Sequence, residues 1–169
     1  MSALVLSLAP KRSQTLRVYA DTSVYGGVFD KKFASVSRKF FEQVEAGRFE
    51  LVASAIVSEE IAGAPPSVRR FFQTIRVKAV EIPVKREAVE LEEAYIAAGI
   101  VGARWQTDAL HVALASVSDC RLIVSWNFKH IVHFDKIGLY NAVNALHGYG
   151  IIGIHSPPEV IDENEEENI

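Results

Sequence analysis

Short β-prone runs alternate along this chain with segments of helical period, and that alternation constrains its fold more than any other feature. Leu16 to Ala20 is a compact β-prone run that ends at Asp21. From Phe33 to Ala46 apolar residues recur at Phe33, Val36, Phe40, Phe41 and Val44, a helical stripe stopped by Gly47. Phe49 to Ala53 reads as a strand, and Ser54 can cap a helix over Ile56 to Ala62. Ala64-Pro65-Pro66 breaks the chain before a helix at Ser67 to Arg76, a strand at Val77 to Ile82 and a helix at Lys85 to Ala98 stopped by Gly99. Thr107 can cap a helix running to Ser118, Leu122 to Trp126 is the most apolar strand candidate, and a helix follows over Asp135 to His147. Ile151 to Ile154 adds a last strand before Pro157-Pro158. Strands alternating with helices imply right-handed crossovers and an α/β fold: three layers, with a central, mainly parallel sheet covered on both faces.

The 169 residues suit one domain with a proper core. The reading is an N-terminal extension over 1–14, a domain over 15–160 and an acidic, disordered tail over 161–169. No uncharged apolar run approaches the roughly 20 residues of a membrane helix. The apolar stretch Ala3 to Ala9 precedes Lys11 and Arg12 instead of following them, so a secretory signal is not expected. The single cysteine, Cys120, cannot form an intrachain disulfide, which fits a cytoplasmic protein. Net charge is -3, but Asp162, Glu163, Glu165, Glu166 and Glu167 crowd the C-terminus. Without those five, 16 acids face 18 Lys and Arg, and a body at +2 permits RNA as a partner.

In a parallel sheet, sites form beyond the carboxyl ends of the strands. Asp21 and Asn127 both fall there. Asp21 alone would be an ordinary Asx turn or helix cap. Glu60 shares a helical face with Ile56 and points inward, whereas Glu59 lies about 100° around the helix. Asp108 opens a helix, where the macrodipole favours an acid, and His111 is the one polar residue in the apolar stretch Ala109 to Ala115. Clustered carboxylates raise one another's pKa unless a cation neutralises them, and an oxygen-only set suits Mg²⁺ or Mn²⁺. The chemistry implied is phosphodiester hydrolysis.

Four segments carry a resemblance: Val18 to Ser23, Ser54 to Ile61, Thr107 to Ala115 and Ile123 to His130. In their residues and order the chain resembles the PIN-domain family, and within it the VapC-type toxins of toxin–antitoxin pairs, over about Arg17 to Val160. The resemblance implies a PIN-like fold and a metal-dependent endoribonuclease whose products carry 5′-phosphate and 3′-hydroxyl ends. It places the metal-binding acids on Asp21, Glu60 and Asp108, and a fourth catalytic position on Asn127. Many members carry Asp at that fourth place; the amide here contributes no charge, so one-metal catalysis is expected. Ser23, Ser125 and Lys129 are supporting candidates, with Ser125 hydrogen-bonding inside the site. The resemblance also implies a homodimer silenced by a small antitoxin. Alternatives are a PIN-fold binding module with weakened catalysis, motivated by Asn127, and a nuclease acting on DNA.

Other chemical-looking features take plainer readings. His130 and His133 lack the further ligands of a zinc site. His111 packs at a helix face, Gly26-Gly27 is a turn or hinge, and Trp126 is core. Trp105 and Phe128 are free to stack on bases. An aspartyl phosphotransferase of the haloacid-dehalogenase type needs a second Asp two residues beyond Asp21, where Ser23 stands.

Overall fold

The computed structural model describes residues 15–163, so the expected extension and the last six residues of the expected tail lie outside the described residues. Five strands form one sheet: β1 (Leu16–Ala20), β2 (Phe49–Ser54), β3 (Val80–Ile82), β4 (Leu122–Val124) and β5 (Gly153–His155). Their spatial order is β3-β2-β1-β4-β5, and every pairing is parallel. The expected mainly parallel sheet is thus wholly parallel. Val18, Tyr19 and Ala20 of β1, Leu51 to Ala53 of β2 and Ile123 and Val124 of β4 are fully buried. Central strands without polar alternation require cover on both faces.

Eight helices supply it: α1 (Thr22–Gly27), α2 (Ala34–Glu45), α3 (Ala55–Ala62), α4 (Pro66–Arg76), α5 (Arg86–Ala97), α6 (Gln106–Val117), α7 (Phe134–Leu146) and α8 (Pro157–Val160). The chain steps from β1 to β2 to β3 in one direction, then crosses to β4 and β5 in the other. Right-handed crossovers therefore put α1 to α4 on one face and α5 to α7 on the opposite one. The contacts agree: α1, α2, α3 and α4 pack together, as do α5, α6 and α7. The strand order reverses between β1 and β4, and in such sheets a crevice opens at that reversal.

Element ends carry the local chemistry. Gly47 and Gly99 stop α2 and α5 at φ +86° and +75°, a backbone region that favours glycine. The Ser54 hydroxyl accepts from Val57 N–H and caps α3, as expected. Thr107 does not cap α6: Trp105 occupies that position after a 3₁₀ turn at Ala103–Trp105, and Thr107 lies inside the helix. β3 begins at Val80, not Val77, because Lys78 N–H and Ala79 N–H bond back to Ile75 and Arg76 and keep the chain in the turn leaving α4. β4 ends at Val124, since Trp126 N–H turns to the Ser23 hydroxyl. At the C-terminal side Ile161 is buried and Asp162 exchanges two hydrogen bonds with Gln43, so the packed fold runs through Asp162.

Candidate active site

Asp21 leaves β1 at the point where the strand order reverses, hydrogen-bonded through its N–H to Val124 of β4. It serves as the N-cap of α1, so the plain helix-cap reading and the site reading hold together. Its side chain is 4% exposed. Two serines clamp it. The Ser23 hydroxyl donates to Oδ1 at 2.5 Å and accepts from Trp126 N–H; the Ser125 hydroxyl donates to Oδ2 at 2.7 Å and accepts from Asn127 N–H. Each hydroxyl thereby ties the carboxylate to the backbone just after β4. Burial pushes the Asp21 pKa up against the opposing pull of His111 and both hydroxyls, and Glu60 pushes it further the same way.

Glu60 approaches from α3. Its Oε1 accepts from the Thr22 hydroxyl at 3.0 Å and from His111 Nε2 at 2.6 Å. Glu59 has no such partner, but the expected inward aim of Glu60 is met only in its hydrogen bonds, since its side chain is 40% exposed. Burial works to raise the Glu60 pKa, but the hydrogen bond to His111, that ring's attraction and the Thr22 hydroxyl outweigh it and hold the group below its ordinary value.

His111 is 2% exposed and sits where four side chains connect. Its Nδ1 lies 2.6 Å from the Tyr19 hydroxyl, which lies 2.7 Å from Ser54 Oγ. An ionised Glu60 can only accept, so His111 Nε2 carries the proton. With the ring neutral Nδ1 accepts from Tyr19 and Tyr19 from Ser54, whose oxygen still accepts from Val57 N–H; with the ring protonated Nδ1 donates to the Tyr19 hydroxyl instead. Either way every group in this buried chain has a partner. The expectation that His111 merely packs on a helix face is therefore incomplete: it joins β1, α3 and α6. The available signal was its place as the only polar residue in the Ala109 to Ala115 stretch.

Among the described residues neither Asp108 nor Asn127 hydrogen-bonds directly to Asp21 or Glu60; Asn127 reaches Asp21 through the Ser125 hydroxyl. Asp108 is half-buried in the first turn of α6, and its charge bears on His130 and Tyr140. Among the described residues no three His, Cys, Asp or Glu side chains group closely enough to enclose a metal ion. The amide oxygen of Asn127 accepts from Lys129 N–H and His130 N–H, which engages both its lone pairs in the turn after β4. Lys129 is exposed beside it.

Gly26-Gly27 is not a hinge. Both residues close α1, and a Cβ on Gly27 would lie 2.6 Å from Ser37 Oγ and 2.8 Å from Trp126 Nε1. Those two atoms hydrogen-bond to each other at 2.9 Å, while Phe33 stacks on the Trp126 ring. Trp126 is partly buried against the core, as expected, and holds the turn that supplies Ser125 and Asn127.

No protein-family model matches the chain, and no curated protein matches it in sequence. Among solved structures the chain is similar to VapBC2 from Rickettsia felis, determined bound to a DNA fragment from its promoter. The TM-score is 0.50 at 15% identity, over 68% of this chain and 90% of that one. At that identity the likeness concerns the fold, which is the three-layer, PIN-like α/β architecture expected from the sequence.

Proposed function

We propose that this protein is a metal-dependent endoribonuclease and the toxin of a toxin–antitoxin pair. The observation that carries the proposal is the buried Asp21 carboxylate at the reversal of strand order, clamped by Ser23 and Ser125 and faced by Glu60. A buried carboxyl, Asp21, neighboured by the exposed carboxylate of Glu60 creates a local demand for positive charge. Mg²⁺ and Mn²⁺ suit it, because Mg²⁺ keeps several waters and needs only one or two carboxylates beside substrate phosphates. Asp21 and Glu60 would hold the ion, with Asp108 from the first turn of α6 as the third acid of the set. When bound, the ion would lower the pKa of a water and stabilise charge developing on phosphorus.

The chain's own groups do the rest. The Ser23 hydroxyl and N–H both donate to Oδ1 of Asp21 and the Ser125 hydroxyl to Oδ2, which leaves one lone pair of Oδ2 for a ligand. Thr22 and His111 fix Oε1 of Glu60, and Oε2 has no hydrogen bond among the described residues. Asn127 shapes the turn and adds no charge, which favours a single tightly held ion. The VapBC2 neighbour supports the toxin reading and, with it, a small antitoxin as partner. A homodimer in the cytoplasm completes the proposal. No helix among the described residues is long and apolar enough to cross a membrane.

The test is cleavage of single-stranded RNA with Mg²⁺ or Mn²⁺. EDTA and Asp21→Asn are each expected to abolish it, leaving 5′-phosphate and 3′-hydroxyl ends in the wild-type products. Full activity in Asp21→Asn would refute the site, and parallel assays on flap DNA decide between RNA and DNA as substrate.

A further inference from the structure

Around the start of α6, near Asp108, lies a group of side chains that neither the clamp on Asp21 nor the chain through His111 uses. Trp105, the N-cap of α6, is 37% exposed three residues before Asp108. The ring of His130 backs its indole, with centroids 4.5 Å apart and planes inclined by 27°. Both ring nitrogens of His130 are buried without a hydrogen-bond partner, so stacking on Trp105 is its visible side-chain role. Burial also holds its pKa below the ordinary value, and it backs the indole as a neutral ring. The guanidinium of Arg104 lies over the indole ring, 5.1 Å from its centroid, and the ammonium of Lys129 lies over it at 5.5 Å. Neither cation forms an ion pair among the described residues.

We propose that Trp105, Arg104 and Lys129 form a subsite for one unpaired nucleotide of an RNA strand, the base stacking on the indole and the flanking phosphates taken by the two cations. This inference rests on the ribonuclease reading for its choice of ligand. An indole backed by an imidazole and overlaid by two cations without ion pairs matches both parts of a nucleotide: phosphates draw the flexible cations off the ring, and the base takes the face they leave. A base already paired and stacked in a duplex cannot offer its face, which selects single strands. The subsite adjoins the chemistry on two sides. Trp105 is one helical turn from Asp108, and Lys129 N–H bonds to Asn127 in the turn that carries Ser125.

The experiment uses the full chain with Asp21→Asn and EDTA, so that binding is read without cleavage. The sequence holds two tryptophans, so Trp126→Phe leaves Trp105 as the only indole fluorophore. A 12-nucleotide oligouridylate is expected to quench that fluorescence, and a blunt RNA duplex is not. In the chain that retains Trp126, with affinity read from a labelled strand, Trp105→Ala should weaken oligouridylate binding roughly five- to a hundredfold, with Trp105→Phe in between. Arg104→Gln and Lys129→Gln should each reduce the slope of log affinity against log salt by about 0.7. Unchanged affinity in Trp105→Ala, equal quenching by the duplex, or stronger quenching by an oligoglutamate peptide than by RNA would each overturn the subsite. The two readings fail separately. Metal-dependent cleavage with Trp105-independent binding removes the subsite alone, whereas Trp105-dependent binding without any cleavage upholds the subsite and removes the nuclease.

Discussion

Burial raises the Asp21 pKa, so ionising this carboxyl costs the fold stability. Its folded-state pKa lies above the unfolded one, so the protein binds a proton there more readily folded than unfolded. That preference contributes stability below the ordinary carboxyl pKa and is lost as pH rises through the raised value. Asp21→Asn cannot ionise and escapes the loss. In EDTA, urea unfolding is expected to find Asp21→Asn more stable than the wild type at neutral pH, with the gap closing as pH falls to about 4. Glu60 titrates with the opposite sign: its lowered pKa contributes stability at neutral pH that is lost on acidification, and it is present in both proteins. A wild type as stable as the variant at neutral pH would mean that Asp21 carries no such burden. Tyr19→Phe tests the other half of the site. It removes the hydroxyl that pairs with His111 Nδ1 and Ser54, leaving buried polar atoms unmatched. A loss of about 1–3 kcal/mol in urea unfolding is expected, together with slower RNA cleavage because His111 no longer holds Glu60 in one orientation.

How far the sequence reveals an element depends on whether local or distant contacts define it. The long helices α2, α4, α5 and α7 show in the apolar period, and Gly47 and Gly99 mark two of their ends, because stripe and stop are both written locally. The short helix α1 does not show. Its six residues, Thr22–Gly27, end in two glycines and carry no stripe; it exists because Asp21 caps it and because Val24 and Tyr25 are buried. For the same reason Gly26-Gly27 reads as a hinge until the Ser37–Trp126 contact, contributed by residues far along the chain, is seen against it. In the site, Asp21 and Glu60 are legible from a strand end and a helical face. The partnership of His111 with Tyr19 is not, because 92 residues separate them. The two glycines now separate by experiment. Gly27→Ala drives a methyl into the Ser37–Trp126 hydrogen bond and should cost about 1–3 kcal/mol and impair cleavage. Gly26→Ala meets nothing within 4 Å and should be neutral or stabilising, by up to about 1 kcal/mol. Thermal unfolding of both variants checks the contrast.

The whole molecule places its electrostatic conflict where its topology opens. Strand order reverses beside β1, so helices from both faces deliver side chains to one place: Glu60 from α3, His111 from α6, Ser23 from α1 and Ser125 from the turn after β4. A ligand that neutralises this site should therefore stabilise the entire fold, since it binds the folded chain and has no assembled site in the unfolded one. Mn²⁺ at a hundred times its dissociation constant would add about 2.7 kcal/mol. For a domain of this size that corresponds to a rise in Tm of roughly 5–11 °C. Asp21→Asn and Glu60→Gln should each remove most of the rise, while Asn127→Ala, whose amide oxygen is engaged in its own turn, should leave the metal-dependent increment intact even if it lowers the starting Tm. Asp108→Asn reports what the third acid does: a preserved increment with lost cleavage places Asp108 on the substrate side of the reaction, and a lost increment places it on the metal. A wild-type protein whose Tm ignores Mn²⁺ throughout the millimolar range would remove the cation from the proposed chemistry.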